Sequence, residues 1–191
     1  MPDSTNLGYP NETFGDTLAD VSEEQWVFAI NDVQPSFIRV EADEATYNLH
    51  IILRFELEQA MLGDEFPLEQ LPDEWNSRMW DYLGITVPND TEGVLQDVHW
   101  SGGSIGYFPT YALGNVISVQ VWDRLKEEVA DVDDQLEGGE FDGIREWLRT
   151  HLYVLGRKYT PQETIERVTG SRIDAVPYVR YLREKLAPQP A

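Results

Sequence analysis

Aromatic, histidine and glycine residues crowd one stretch of the chain, GVLQDVHWSGGSIGYFPTYALGN at residues 93–115. If its first part is extended, Asp97 and His99 share a face, and a carboxylate placed there can hold the tautomer of an imidazole or raise its pKa. The glycines that follow permit positive φ and close backbone approach, as a loop folding over a ligand requires. His99 is therefore a candidate functional residue, with a buried structural histidine as the alternative.

Two tyrosines, Tyr107 and Tyr111, follow this glycine-rich turn. They lie four residues apart, so both phenols point the same way on a helix that begins here. Core packing explains the spacing equally well, because large aromatic residues are mostly buried. The stretch has the composition of a site wall and carries no catalytic machinery of its own.

A hydrolytic zinc site is not evident in the sequence. Such sites usually take two histidines one helical turn apart together with a carboxylate, whereas His50, His99 and His151 are widely separated. The fourth residue after His50 is Arg54, so this helix presents no second ligand on that face. We interpret His50 and His151 as histidines on helix faces and predict no metal ligands on this chain.

An arginine close to an acid forms the other candidate cluster, in IRVEAD at residues 38–43. The guanidinium of Arg39 can make two parallel hydrogen bonds to a carboxylate. That carboxylate is either Asp43, in a local salt bridge at a helix start, or belongs to a ligand.

The elements that carry these residues are predicted to be helices, and the predicted fold class is all-α. SEEQ at residues 22–25 has the spacing of a capping box, and apolar residues at helical spacing predict a mostly buried helix at 42–61. Residues 85–106 look irregular, with room for a short strand. Further helices are predicted from Pro72 to Gly84, at 107–129, at 144–155, from Thr160 to Gly170 and before Pro188.

One helical domain accounts for these elements. It is expected to span residues 21–188, after a coil lead-in at 1–20 and before a short tail at 189–191. No internal repeat or distinct linker divides it.

The charge of the chain excludes several kinds of partner. It has 35 acidic and 14 basic residues and a formal net charge of −21. Nucleic acids and anionic membranes need a basic footprint, so neither is an expected partner. Because concentrated salt screens self-repulsion of this size, we expect an intracellular protein of a salt-loving organism.

Cysteine usage and the absence of long apolar runs point to the cytoplasm. The chain has no cysteine, which removes disulfides, thiolate nucleophiles and cysteine-based zinc sites. No apolar run approaches the roughly 20 residues that span a bilayer, and the first residues do not have the pattern of a signal peptide.

Two motifs in order, IRVEAD at 38–43 and GVLQDVHW at 93–100, resemble motifs of the thermostable carboxypeptidase family, also called carboxypeptidase Taq. The segments EATYNLHIILRFELE, LPDEWN and GYFPTYALGN are similar to that family as well, and the likeness runs from about Ser22 to Leu186. Members are zinc metallocarboxypeptidases, in which zinc-activated water attacks the last peptide bond of a substrate lying in a deep groove between helical halves. The resemblance implies that this chain is part of such a helical enzyme.

Family members are much longer, and the chain resembles only their C-terminal part. It contains no His-Pro-Phe, Asp-x-Arg-x-Thr, zinc-binding His-Glu-x-x-His or later His-Glu-Ser-Gln. The family uses zinc, but the resemblance implies no zinc on this chain alone and no activity by itself.

The resemblance also assigns roles to the candidate residues. Arg39 is expected to recognise the free C-terminal carboxylate of a peptide, a charge-assisted bond, with Gln96 on the substrate side of the groove. His99 and either Tyr107 or Tyr111 are candidates for donating hydrogen bonds to the developing oxyanion.

Two acids are expected to support this set. Asp97, with Gln96, would orient His99. Asp43 would brace Arg39 or the helix start and would not touch substrate.

The function expected from the resemblance is that of a metallocarboxypeptidase fragment that binds peptide. Its partners would be a peptide substrate and either a separate chain with the zinc-binding half or a second copy, since family members are typically homodimers. The alternative is a non-catalytic helical module that binds peptides or regulates a full-length homologue. For a fragment, the apolar faces at 42–61 and 107–122 are expected to be partly bare.

Overall fold

The computed structural model describes residues 20–63 and 66–187, and within these ranges the chain is helical and without strands. The predicted all-α class is confirmed. The α-helices are α1 (Glu23–Ile30), α2 (Tyr47–Met61), α3 (Leu71–Leu83), α4 (Pro109–Glu128), α5 (Val132–Glu137), α6 (Asp142–His151), α7 (Pro161–Thr169) and α8 (Val176–Lys185). Short 3₁₀ helices lie at Arg39–Glu41, Leu68–Gln70 and Tyr153–Leu155.

Local sequence signals determine several helix ends. The capping box at the start of α1 is present, because Gln25 donates its backbone N–H to the Ser22 hydroxyl and returns its side chain to the Ser22 amide. Thr160 and Glu163 form a second capping box at the start of α7. Gly84 ends α3 at φ 69°, in the left-handed region that glycine adopts without strain.

The buried interior consists of two apolar clusters. The α2–α3 cluster is formed where those two helices pack together, and it includes Leu53, Leu57, Trp75 and Met79. The α6–α7 cluster lies against the C-terminal half of α4, where α7 packs on that helix. Helix α4 also packs on α2 and α8, so it connects the two clusters.

The short strand considered for residues 85–106 is wrong. This segment is a series of turns, in which the backbone N–H of Ser104 donates to the His99 carbonyl at 2.8 Å and that of Gly103 to the Trp100 carbonyl at 3.0 Å. Gly103 has φ 78°. These are the bonds and the left-handed residue of a Schellman turn. The left-handed turn at this glycine directs the chain toward α4, so the segment does not pair as a β-strand.

The predicted start of the long buried helix is also too early. Residues 39–41 form a 3₁₀ turn, and α2 begins only at Tyr47. The Asp43 carboxylate accepts hydrogen bonds from the backbone N–H groups of Ala45 and Thr46, both at 2.9 Å. A carboxylate that holds the amides following it favours a turn over continued helix.

Some boundaries lie outside the described residues. The coil lead-in at 1–20 and the tail at 189–191 fall almost wholly there, so those limits stay predictions. No helix in the described ranges is both long and apolar enough to cross a bilayer.

Apolar side chains are exposed on the faces expected to be partly bare. On α2, Ile52 and Phe55 are exposed; at the start of α4 and within it, Tyr107 and Leu113 are exposed. The Trp80 ring on α3 is also exposed, at 60% of its surface.

Candidate functional site

Asp97 lies at the centre of the candidate site, between two arginines. Arg54 Nε donates to Asp97 Oδ2 at 2.6 Å, and Arg39 donates to Asp97 Oδ1 from Nε at 3.2 Å and from a terminal nitrogen at 2.7 Å. The Arg54 side chain has no exposed surface and that of Arg39 very little. The residue that pairs with Arg39 is thus Asp97, 58 positions away, and the local salt bridge with Asp43 does not form.

Asp43 instead organises the start of α2. Besides the amides of residues 45 and 46, it accepts a hydrogen bond from the Thr46 hydroxyl at 2.8 Å and from the Gln34 backbone N–H at 3.1 Å. Asp43 was expected to brace either Arg39 or the helix start, and in the structure it braces the helix start. Tyr47, in the first turn of α2, accepts a hydrogen bond from Arg39 at 3.1 Å.

Gln96 connects the same elements through both ends of its amide. Its oxygen accepts from the Arg39 backbone N–H at 2.9 Å and from Arg54 at 2.8 Å. Its nitrogen donates to the carbonyls of Phe37 and Glu92, at 2.9 and 3.0 Å. The amide is fully engaged with the protein, so in this conformation it fastens the loop at residues 93–108 to Arg54 of α2 and makes no hydrogen bond to His99.

Pairing between Asp97 and the two arginines keeps all three side chains charged. Burial by itself would raise the pKa of Asp97, but hydrogen bonds from Arg39 and the charge of Arg54 outweigh it and lower that pKa. Burial lowers the pKa of Arg54 to about 10, so its guanidinium remains charged at neutral pH. For Arg39, burial is outweighed by the hydrogen bond and charge of Asp97, which raise its pKa. All three groups are therefore ionised at neutral pH.

His99 lies beside this cluster among aromatic rings. Its Nε2 is 3.2 Å from the Tyr111 hydroxyl, and its Nδ1 is 3.6 Å from Asp97 Oδ1, beyond hydrogen-bond length. Tyr107 stacks on the imidazole with a centroid separation of 5.9 Å, and Phe108 packs against it at 4.4 Å. Asp97 and His99 are brought together by a turn, and not by the extended segment considered from the sequence.

The two tyrosines differ in their surroundings. The Tyr111 hydroxyl is occupied by His99, whereas the Tyr107 hydroxyl makes no hydrogen bond with the described residues and half of that side chain is exposed. Tyr107 thus borders the open side of the site. The proximity of both rings to His99 follows from Gly106, whose φ of 78° turns the chain just before α4.

Sequence reasoning missed Arg54. We considered that position only as the absence of a second zinc ligand, although it lies among the buried Leu53 and Leu57 on an apolar helix face. A charged residue in such a stripe is rarely buried without a partner. That signal indicates a buried ion pair, but it does not reveal which acid supplies the other charge.

The described residues do not fit a catalytic zinc ion. Within the described ranges, no group of three or more histidine, aspartate or glutamate side chains is arranged so that it could hold a metal ion. His50 is fully buried, and both its ring nitrogens lie without a hydrogen-bond partner among those residues. His151 bonds through Nδ1 to the Trp147 carbonyl at 2.9 Å on another part of the surface. The three histidines lie on different elements: His50 on α2, His99 in a turn and His151 on α6.

The fold and sequence together define a helical metallopeptidase chain. The structure matches that of the M32 carboxypeptidase from Deinococcus radiodurans R1 with a TM-score of 0.89 and 42% identity, covering 95% of this chain and 37% of that one. It matches a structure of Pyrococcus furiosus carboxypeptidase with a TM-score of 0.87 and 39% identity, over 92% of this chain and 35% of that one. This chain belongs to the carboxypeptidase Taq (M32) metallopeptidase family, which matches residues 5–186.

Two curated relatives give the same assignment. The chain is 46% identical to carboxypeptidase 1 of Bacillus subtilis over 166 residues, which is 87% of this chain and 33% of that protein. It is 44% identical to thermostable carboxypeptidase 1 of Thermus thermophilus over 171 residues, 90% of this chain and 34% of that protein. The chain thus spans about a third of the length of these relatives, as the resemblance had implied.

Proposed function

We propose that this chain forms the substrate-binding wall of a metallocarboxypeptidase that removes C-terminal amino acids from peptides. The observation that carries the proposal is the convergence of Arg39, Asp97, His99 and Tyr111 from three separate segments. Family membership supports the peptidase class, and the names of the relatives support the carboxypeptidase activity.

In this proposal Arg39 binds the free carboxylate of the peptide. Its bonds to Asp97 and Tyr47 use the Nε hydrogen and one hydrogen on each terminal nitrogen. One hydrogen on each terminal nitrogen is left over, and a carboxylate accepts such a pair in parallel. A charge-assisted bond of this kind is worth about 1.5 to 3 kcal/mol.

His99 and Tyr107 are proposed to donate to the oxyanion that develops on the scissile carbonyl. Tyr107 is chosen over Tyr111 because its phenol is exposed and unoccupied, whereas that of Tyr111 fixes the imidazole. The donating hydrogen would be that on His99 Nε2, which the Tyr111 hydroxyl 3.2 Å away accepts until the oxyanion takes its place. Loss of one such donor typically lowers the rate by about 10²- to 10³-fold.

The zinc-binding motif is proposed to come from a separate polypeptide, so that the chain is inactive alone. A second copy of the chain is the other proposed partner. The exposed apolar residues on α2 and α4 support a partner that covers them.

The test is hydrolysis of N-blocked dipeptides with Zn²⁺ or Co²⁺ added, by the chain alone and after mixing with the complementary two-thirds of the Bacillus subtilis relative. We expect no release of amino acid by the chain alone and release by the mixture. Robust activity of the pure chain would overturn the proposal. Tight peptide binding with no activity in any mixture would favour the regulatory module.

An Arg39→Lys variant tests the carboxylate assignment in the active mixture. We expect kcat/KM for free-acid dipeptides to fall about 10- to 100-fold, the equivalent of a charge-assisted bond. Hydrolysis of the corresponding C-terminal amides should be unchanged. Arg180→Lys, at an exposed pair with Asp123, is the matched control.

A cytoplasmic location in a salt-loving organism completes the proposal, with the net charge of −21 as its support. Screening lengths fall to about 3 Å in 1 M salt. Helicity followed by circular dichroism is therefore expected to rise from low to multimolar KCl. Equal stability throughout that range would contradict it.

A further inference from the structure

The buried cluster around Asp97 holds more positive than negative charge. Arg39 and Arg54 both pair with this one carboxylate, so two cations and one anion leave a net charge of +1. Asp43 precedes α2, and Glu58 lies on α2 one turn beyond Arg54, but neither forms an ion pair with either arginine, because Asp43 is bound at the start of α2 and Glu58 accepts from the Trp100 indole. An excess cation in a chain of net charge −21 is unexpected on composition alone, and a buried charge without a partner is costly.

The two arginines differ in what they can reach. Arg54 has no exposed surface, and its guanidinium donates to Asp97, to the His50 carbonyl at 2.8 Å and to Gln96. It also lies over the Trp75 ring, with its central carbon 4.5 Å from the ring centroid. A group so enclosed cannot contact a ligand.

Arg39 takes only one oxygen of Asp97, because Arg54 occupies the other. Arg39 bonds to Oδ1, and Arg54 to Oδ2. Without Arg54, both carboxylate oxygens would be open to Arg39 in a fork-to-fork pair, and the charge of Arg39 would be matched within the protein.

We propose that Arg54 is a positioning residue. It neutralises Asp97 and fixes Gln96, so that Arg39 keeps an uncompensated charge for an anionic group of a ligand. The inference rests on the proposed function, in which that group is a peptide carboxylate. If Arg54 only held the loop onto α2, the affinity for an anion would not follow the net charge of the cluster.

Variants that change or keep the net charge of the cluster separate this role of Arg54 from a purely structural one. Arg54→Met lowers the net charge of the cluster to zero, whereas Arg54→Lys and the double variant Arg54→Met/Asp97→Asn each keep it at +1. All are made in the full chain, and folding is checked by circular dichroism and thermal melting. The probe is potassium acetate, with neutral acetamide as control, at constant ionic strength. Binding is followed by the NMR signal of the Arg39 Nε–H group.

We expect Arg54→Met to weaken acetate binding about tenfold or more, the loss associated with a charge-assisted bond. The double variant and Arg54→Lys should bind within about threefold of the natural chain. Both keep the cluster at +1, so the difference in binding free energy should stay well below that of one charge-assisted bond. Natural affinity in Arg54→Met, or loss of binding in the double variant, would overturn the inference. If Arg54→Met does not fold, loss of binding in the two charge-retaining variants overturns it.

A second probe separates this inference from the proposed function. N-acetyl-dialanine carries the same carboxylate on a peptide. If it binds no more tightly than acetate while the variants follow the charge, the peptide-binding function fails and the role of Arg54 stands. If acetate produces no shift of the Arg39 signal in the natural chain, the inference itself fails.

Discussion

Helix α2 and the pair α6 and α7 bury different kinds of side chain. On α2, three ionisable residues at four-residue intervals are buried on one face: His50, Arg54 and Glu58. On α6 and α7 the buried residues are all apolar: Ile144, Trp147, Ile165 and Val168. Burying a charged group is costly unless it is paired, and replacing a buried pair with apolar residues often stabilises a protein. We infer from this difference that α2 is arranged for the placement of charge and α6–α7 for stability.

The largest expected effect is at Asp97. Asp97→Asn leaves two buried guanidinium groups without their shared anion, and loss of one partner of a buried pair costs about 3–5 kcal/mol. Urea unfolding measures the change. Asp133→Asn, at an exposed pair with Lys126, is the control, for which about 0–1 kcal/mol is expected. A small loss at Asp97 would remove the contrast between the two regions.

The apolar region should respond nearly as strongly but in a different way. Ile165→Ala, at a residue that is 4% exposed, removes buried methyl groups and leaves a cavity, at a cost of about 2–5 kcal/mol. Unfolding at low and high KCl measures it. Because no charge is involved, the loss should be equal at both salt concentrations, and a salt-dependent loss would contradict the assignment of this cluster as purely apolar.

Acid should destabilise the α2 region through His50. Burial and the charges of Arg54 and Arg39 lower the pKa of His50 from 6.5 to about 4, against the opposing charges of Asp97 and Asp43. As the pH falls, the unfolded chain binds the proton before the folded chain does. The stability that depends on a neutral His50 is therefore complete above pH 6.5 and is lost as the pH falls to 4. A shift of this size corresponds to about 3 kcal/mol.

Unfolding of His50→Leu between pH 7 and pH 4 checks this. The variant should lose much less stability over that interval than the natural chain. His151→Leu, on the surface end of α6, is the matched control and should keep the natural pH dependence. Identical slopes for natural chain and His50→Leu would show that the buried imidazole does not control acid sensitivity.

The smallest effect is expected at the exposed pair of Arg180 and Asp123, 2.7 Å apart. Arg180→Ala should cost no more than about 1 kcal/mol, because both partners are largely solvated. The loss should disappear in 1 M KCl. A loss as large as that at Asp97 would show that burial is not what separates strong from weak pairs here.

Much of the fold could be predicted because its signals are local. The capping boxes at residues 22–25 and 160–163 and the stop at Gly84 depend on groups within a few positions of one another. The candidate site was predicted less well. Arg54 was missed, and the partners of Gln96 could not be predicted, because hydrogen bonds that cross more than 40 positions have no local pattern.

The helical class and the family could be predicted from the amino-acid sequence, which also gives the strongly acidic charge and the residues from which a site can be built. Which acid pairs with Arg39 depends on how the chain packs: it is Asp97, and not Asp43. Asp43 is closer along the chain, but its Oδ1 accepts from the amides of Ala45 and Thr46, and its Oδ2 accepts from the Thr46 hydroxyl and the Gln34 N–H. A guanidinium buried at this depth needs an anion within hydrogen-bond reach. The 93–108 loop packs against α2 and places the Asp97 carboxylate beside Arg39, so Arg39 pairs with Asp97.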